Sequence, residues 1–287
     1  MTILVIGRGG QVARALARRG DVEVIGRPDF DLMQPDAVAA EIVRRRPRAV
    51  INAAAYTAVD KAEDEPDAAM AINGDAPRVI AHASAEIGAA LVHLSTDYVF
   101  AGDKAAPYVE DDPTGPTGIY GASKLRGEQL ALAANPRTIV LRTAWVYDAA
   151  GANFVRTMLR LAKSRDVITV VADQRGCPTF ADDLAGAALA IAADPRHAGI
   201  YHCAGSGETT WAAFAEDIFA QSRIRGGPSA DVKHIASAEF PTRAKRPANS
   251  RLDCTKLARE YGIVMRPWRE ALSACMDEIA AGGWRVE

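Results

Sequence analysis

The chain has 287 residues, enough for one large α/β domain or a large domain with a smaller lobe. Hydrophobic residues make up 49% and charged residues 24%, a balance that suits a globular protein with a sizeable core. The formal net charge of −2 excludes the basic excess of a general nucleic-acid binder. Cys177, Cys203, Cys254 and Cys275 are widely spaced and form no CxxC pair, so reduced, buried thiols are expected in place of a disulfide or zinc site. The chain opens directly on a strand-like run without the marks of a signal peptide, and no apolar run reaches membrane-spanning length. The expected setting is the cytoplasm, with neither a membrane nor a nucleic acid as partner.

Short apolar runs alternate with helical patterns through the first half. Ile3–Ile6 reads as a strand, Gln11–Arg19 as a helix with Val12 and Leu16 on one face, and Val22–Ile25 as a second strand. Pro35–Arg46 reads as a helix with proline in its first turn and arginines at its end. Ala49–Ile51 is a third strand, 66–87 a long helix closed by Gly88, and Leu91–Leu94 a fourth strand. A helix over 116–134 and a strand over Thr138–Leu141 complete the alternation. Buried strands separated by helices imply crossovers and an α/β fold, a doubly wound parallel Rossmann sheet.

Beyond about residue 150 the alternation loosens. Helices are expected at 153–163, 180–193, 210–221 and 267–281, and short strands at 167–171 and 200–202. The stretch 222–247, rich in Gly, Pro and basic residues, reads as loops. Residues 1–147 are expected to bind a dinucleotide, with segments near 181–203 returning to that unit. Residues 148–287 would form mainly a smaller, substrate-binding lobe.

Gly7, Gly10 and Ala13 give Gly-x-x-Gly-x-x-Ala between the first strand and helix, with Gln11 and Val12 in the same turn. The first glycine permits a tight turn, the second admits a pyrophosphate near the backbone, and the small third residue lets helix and strand pack closely. The helix N-terminus favours the anion. An ordinary glycine turn is the plainer alternative. At the end of the second strand, Ile25-Gly26-Arg27 carries no carboxylate for a ribose 2′-hydroxyl, and Arg27 and Arg8 suit a 2′-phosphate. The reading leans towards NADP and leaves NAD open. Ala53, Ala54 and Ala55 follow the third strand and leave room for a flat ligand, or simply let a helix pack.

The fourth strand ends in Ser95-Thr96-Asp97-Tyr98, polar side chains that need partners if buried. Alternation sends Ser95 and Thr96 to opposite sides, so one of them faces the cofactor. Tyr120 and Lys124 sit four apart, one helical turn from each other. A phenol of ordinary pKa about 10 is a poor proton shuttle near neutrality. An ammonium at ~4 Å contributes about 4 kcal/mol at an effective dielectric of 20, enough to bring that phenol down into range.

Together these motifs resemble the dTDP-4-dehydrorhamnose reductases of the extended short-chain dehydrogenase/reductase superfamily. The resemblance rests on Gly-x-x-Gly-Gln-Val at 7–12, Asn-Ala-Ala-Ala-x-Thr-Ala-Val-Asp-Lys-Ala-Glu at 52–63 and Ser-Thr-Asp-Tyr-Val-Phe at 95–100. It continues through Tyr-Gly-x-x-Lys at 120–124, Arg-Thr-x-Trp-Val-Tyr at 142–147, Asp-Gln-x-Gly-x-Pro-Thr at 173–179 and Arg-Pro-x-Asn-Ser-x-Leu-Asp at 246–253. It implies Tyr120 as proton donor, Lys124 as its partner and a ribose contact, and Thr96 as the third catalytic hydroxyl. Thr96, Asp97, Tyr120 and Trp145 would touch a nucleotide sugar, Asp31 and Leu32 would lie by the adenine, and Ala53–Ala55 along the cofactor. Trp145 offers an apolar wall, with plain core packing as the equal alternative.

The third position of the glycine motif, Ala13, departs mildly from the family's pattern. Some relatives dimerise through a magnesium ion held partly by a glutamate on the first helix. Ala15 occupies that place, so no metal-bridged dimer and no metal site are expected. The basic run Arg243-Ala-Lys-Arg246 reads as a solvated loop and supplies no site residue. Two further readings stay open. One is a sugar-nucleotide epimerase or dehydratase of the same superfamily; the other is a non-catalytic regulatory subunit resembling the β subunit of methionine adenosyltransferase.

Overall fold

The computed structural model describes residues 2–285. In chain order it runs β1 (Ile3–Ile6), α1 (Gln11–Arg19), β2 (Val22–Ile25), α2 (Pro35–Arg45), β3 (Ala49–Asn52), α3 (Val59–Ala62), α4 (Pro66–Ala69), a π turn (Met70–Asp75) and α5 (Ala76–Glu86). There follow β4 (Ala90–Thr96), α6 (Ile119–Ala134), β5 (Thr138–Thr143), β6 (Val146–Tyr147), α7 (Phe154–Ala162), β7 (Val167–Val171), β8 (Arg175–Gly176) and β9 (Thr179–Phe180). The chain ends through α8 (Ala181–Ala193), β10 (Gly199–His202), β11 (Thr209–Thr210), α9 (Trp211–Ile224), β12 (Asp231–Ile235), β13 (Asn249–Ser250), α10 (Thr255–Tyr261) and α11 (Trp268–Ala281).

Six strands form one parallel sheet in the order β10-β5-β4-β3-β1-β2. On one face Val5, Ile51, Val92 and Leu141 pack under Leu16 of α1, Leu184 and Ala188 of α8, and Leu257 of α10. On the other, Leu4, Ile6, Val50 and Leu91 meet Val38 and Ile42 of α2, Ile80 of α5 and Ala131 of α6. Burial on both faces explains why these strands read as unbroken apolar runs. Each Val, Leu or Ile among them contributes about 1.5–3 kcal/mol by leaving water. Because β2 and β3 leave β1 in opposite directions, a crevice opens at the carboxyl ends of β1 and β3, where such sheets hold ligands.

A second core lies beyond the sheet. Val155 and Leu159 of α7, Ile168 and Val170 of β7, Phe214 and Ile218 of α9, and Leu272 and Met276 of α11 close on one another. Here two expectations need correction. The stretch 222–247 is not all loop: Asp231–Ile235 is a strand lying parallel to β7, with Asp231 opposite Val167. Its charged, largely exposed sequence hides the two apolar residues, Val232 and Ile235, on which an edge strand can rest. The helix expected over 66–87 is interrupted by the π turn, one residue per turn wider than its flanks. Among the described residues no helix is long and apolar enough to cross a membrane.

Candidate active site

The carboxyl ends of the central strands open on a cleft of about 530 Å³. Gly10, Gln11 and Val12 line it from the first turn, Ala53 and Ala55 from the loop after β3. Thr96, Asp97, Tyr120, Lys124 and Trp145 line it from the other side. Gly7 lies beneath this wall at φ +119°, and a Cβ there would stand 3.1 Å from the Ala53 carbonyl carbon and the Ala54 nitrogen. Only glycine lets the two loops approach so closely. Gly10 is the N-cap of α1 and no side chain caps that helix, which leaves its first N–H groups for a ligand.

Gln11 Oε1, Thr143 Oγ1 and Asp97 Oδ2 are buried at the cleft without a hydrogen-bond partner. Buried polar atoms are normally satisfied, so a polar ligand is what these three lack. Their position, with the glycine cradle, fits a dinucleotide. Arg27 stands exposed at the end of β2, outside the cleft lining, while Arg8 beside it is paired with Asp29 at 2.9 Å. Asp31 accepts a hydrogen bond from the Met33 nitrogen at 3.0 Å. Leu32 and Ala54 pack in the core around Ile25 and Val38, behind the cleft.

Tyr120 and Lys124 stand on α6, and two glycines bring that helix close to its neighbours. A Cβ at Gly121 would run into the Tyr98 carbonyl, and one at Gly127 into the Asn73 carbonyl. Glu63 caps the helix from the motif after β3, accepting from the Ile119 nitrogen at 2.8 Å. Asn73, in the π turn, ties that motif to α6: its amide donates to the Tyr56 carbonyl at 3.0 Å and to Ser123 Oγ at 3.1 Å. Its Oδ1 accepts from the Tyr56 nitrogen at 2.8 Å.

Alternation separates Ser95 from Thr96 as expected. Ser95 Oγ donates to Glu128, which forms a buried ion pair with Arg142 at 2.7 Å. Thr96 lines the cleft with Tyr120. Thr96 also accepts from the Tyr98 nitrogen at 3.2 Å and donates to Asp97 Oδ1 at 3.1 Å. Burial pushes the Asp97 carboxyl up to about 6, with the nearby Ser250 and Thr96 hydroxyls acting against it.

The expectation that Lys124 lowers the Tyr120 phenol is not met by this geometry. Burial pushes the phenol above its ordinary value, and the Asp97 charge adds to the effect. Lys124 is engaged elsewhere: Nζ donates to the Leu94 carbonyl at 2.6 Å and lies 3.4 Å from His93 Nε2. Burial brings Lys124 itself down to about 8.

Trp145 adopts φ +50°, a left-handed conformation that bulky residues rarely hold. Its indole stacks on Trp211 with centroids 3.5 Å apart and lies across Gly176, where any Cβ would overlap it. Such a conformation persists only where the surroundings dictate it. The basic run is not a free loop. Arg246 pairs with Asp60 and Arg243 with Asp64, while Asp60 also accepts from the Ala244 nitrogen at 3.0 Å. The stretch 243–246 is thereby strapped to α3, beside the cleft.

Several positions at or beside the cleft escaped the sequence reading. Arg14 lines the cleft and ties the glycine turn to the 149–152 loop, donating to the Gly9 carbonyl and, at 3.1 Å, to that of Ala150. Thr143 also lines the cleft, and His93 stands behind Lys124. Only their pairing across strands marks them, and no linear spacing shows that. Ala15 is wholly buried against the sheet, so it is not a surface place where a metal ligand could have stood. The four cysteines are free, and among the described residues no cluster of His, Cys, Asp and Glu could hold a metal ion.

The family model of the RmlD substrate binding domain matches residues 1–281. A protein of Sinorhizobium fredii named dTDP-4-dehydrorhamnose reductase is 49% identical, covering 94% of this chain and 95% of its own. A Streptomyces antibioticus protein named a probable dTDP-4,6-dihydroxy-2-methyloxan-3-one 4-ketoreductase is 41% identical over 98% of this chain and 96% of its own. The crystal structure of dTDP-4-dehydrorhamnose reductase from Bacillus anthracis, in complex with NADP, superposes with a TM-score of 0.91 at 35% identity, covering 97% of this chain and all of the other.

Proposed function

The chain belongs to the dTDP-4-dehydrorhamnose reductase family, and we propose that it reduces the C4 ketone of dTDP-4-dehydro-6-deoxy-L-mannose to give dTDP-L-rhamnose. The observation that carries this reading is the meeting of Thr96, Tyr120 and Lys124 with the glycine turn in one cleft. The solved relative that binds NADP supports the same cofactor for this chain, with NAD as a lesser possibility.

NADPH, when bound, supplies the hydride that reaches C4. The chain's own residues do the rest. Gly7 and Gly10 open the turn, the α1 N-terminus attracts the diphosphate, and Gln11 and Val12 bound it. Arg27 reaches the 2′-phosphate, Asp31 and Leu32 flank the adenine, and Ala53 and Ala55 leave room for the flat rings, with Ala54 packed behind them. Tyr120 protonates the alkoxide that forms at the sugar oxygen, and Lys124 supports that transfer. Thr96 turns its hydroxyl to the carbonyl oxygen when Asp97 is taken up by the sugar, placing a donor where charge develops. Trp145 forms an apolar wall. In this arrangement residues 1–147, with 181–203, hold the cofactor, and the remainder of 148–287 holds the nucleotide sugar, in a cytoplasmic enzyme without nucleic-acid partners or a metal-bridged dimer.

The test is NADPH oxidation with dTDP-4-dehydro-L-rhamnose. Tyr120→Phe is expected to slow turnover by ~10²–10⁴-fold while NADPH still binds, because only the proton donor is removed. Near wild-type turnover in that variant would refute the assignment. The Streptomyces antibioticus relative favours a second reading, reduction of a different 4-keto sugar on the same nucleotide, which a panel of such sugars separates from the first. The epimerase and regulatory-subunit readings both predict no net oxidation of NADPH.

A further inference from the structure

Behind Lys124, on the side away from the cleft, stands a pair of side chains that the reaction outlined above does not use. His93 of β4 is fully buried, with Nε2 3.4 Å from Lys124 Nζ and Nδ1 3.1 Å from the side-chain amide nitrogen of Asn52 on β3. The Asn52 carbonyl oxygen accepts from the Ala54 backbone nitrogen at 3.2 Å. That backbone N–H can only donate, so it fixes which end of the Asn52 amide faces it. The other end, the NH₂, must then face His93 and donate to Nδ1.

A neutral imidazole carries one proton, and a ring nitrogen that accepts cannot bear it. The His93 proton is therefore on Nε2, the nitrogen aimed at Lys124. Burial, with the Lys124 charge beside it, holds the imidazole well below its ordinary pKa, so the ring is neutral. Lys124 thus meets an N–H where an ammonium would seek an acceptor. We propose that His93 is a positioning residue that, locked in its Nε2–H tautomer by Asn52, stabilises the neutral amine of Lys124 and so makes this lysine a ready proton source.

The proposal rests on the reductase reading. Each turnover leaves Tyr120 as a phenolate once its proton has passed to the sugar oxygen. The phenolate takes a proton that leaves Lys124 Nζ, and the lone pair exposed on Nζ accepts from His93 Nε2–H. A proton from solvent restores the ammonium, and no electrons move. A donor is most effective when its pKa lies near the working pH, and burial places Lys124 at about 8. The other charged and titratable groups around this lysine are Tyr120 and Glu128 on its own helix, Arg142 on β5, which neutralises Glu128, and Asp97 beyond β4. Of these Glu128 opposes the shift and burial drives it; a His93 N–H turned towards Nζ acts in the same direction as burial.

The test has two arms. In the first, His93→Gln can turn a carbonyl oxygen to Nζ and favour the ammonium. The alkaline limb of kcat should then move up by on the order of one pH unit, with KM for both substrates within about twofold. An alkaline limb that stays in place in a folded variant overturns the proposal. In the second, ¹⁵N NMR of the imidazole in the wild-type protein should show Nε2 protonated and Nδ1 bare, and the Lys124 side-chain resonance should titrate near neutrality. A proton on Nδ1 overturns the proposal even if His93→Gln does not fold. The NMR arm needs no turnover, so a wild-type protein that fails to oxidise NADPH sinks the reductase reading without deciding the tautomer.

Discussion

The indole of Trp145 rests on the bare Cα of Gly176, in the space a methyl group would need. This contact, with the stack on Trp211, holds Trp145 in a backbone conformation that costs about 1–3 kcal/mol. Gly176→Ala is therefore expected to displace the indole from the cleft wall. KM for the nucleotide sugar should rise roughly tenfold or more, the effect of 1–3 kcal/mol of overpacking, while the Kd for NADPH stays near wild type. An unchanged KM in a folded variant would show that the wall is not used.

Asp97 gives a prediction on stability. Its ordinary pKa of 3.8 rises to about 6 in the fold because the carboxyl is buried. The folded chain then binds more protons than the unfolded chain between these values, so stability falls as the pH rises through this window. Above it the buried charge costs about 3 kcal/mol. Asp97→Asn should raise the Tm at neutral pH and leave it nearly unchanged at roughly pH 3.5, below both values. A gain that is equal at both pH values would contradict the burial argument.

Arg27 stands exposed at the rim where a 2′-phosphate would sit. Arg27→Ala should weaken NADPH by about 1.5–3 kcal/mol, the worth of a charge-assisted pair, and spare NADH, which lacks the group. Titration of both cofactors decides it; equal losses, or none, would count against Arg27 as the residue that selects NADP.

Metal removal should do nothing. The outer side of α1 presents Arg18 and Arg19, paired with Asp148 and Asp182, while Ala15 points into the core. Magnesium takes oxygen ligands in a near-octahedral set, and this helix face presents cations. Light scattering and turnover are expected to be the same with and without EDTA; a dimer lost on chelation would overturn this.

The central sheet was legible because its strands are buried on both faces and so read as unbroken apolar runs between amphipathic helices. Gly7, Gly10, Thr96, Tyr120 and Lys124 were legible because each stands at a fixed offset from the end of a strand or the start of a helix. His93 and Asn52 were not, since they meet only through the pairing of β3 with β4, in which they are opposite each other. Arg243 and Arg246 were read as solvated for the same reason: their partners Asp64 and Asp60 lie about 180 residues away in sequence. The Lys124–Tyr120 electrostatics were misjudged because charge was weighed without burial. The strand at Asp231–Ile235 was missed because an edge strand needs few apolar residues.

The π turn at Met70–Asp75 holds one residue more than regular helix would need, and Asn73 sits inside it. Shortening this stretch by one residue would restore an unbroken α-helix from 66 to 86 and improve its local hydrogen bonding. It would also swing everything on one side of the cut by about a third of a turn. Asn73 would lose either Tyr56 or Ser123, and the loop bearing Ala53 and Ala55 would lose its tie to the helix bearing Tyr120. At this spot length and regularity are opposed: a deletion that any helix would accept is one the cleft cannot accept, and a scan of single-residue deletions along 66–86 should find its sharpest loss of activity, without loss of helix content, at the widened turn.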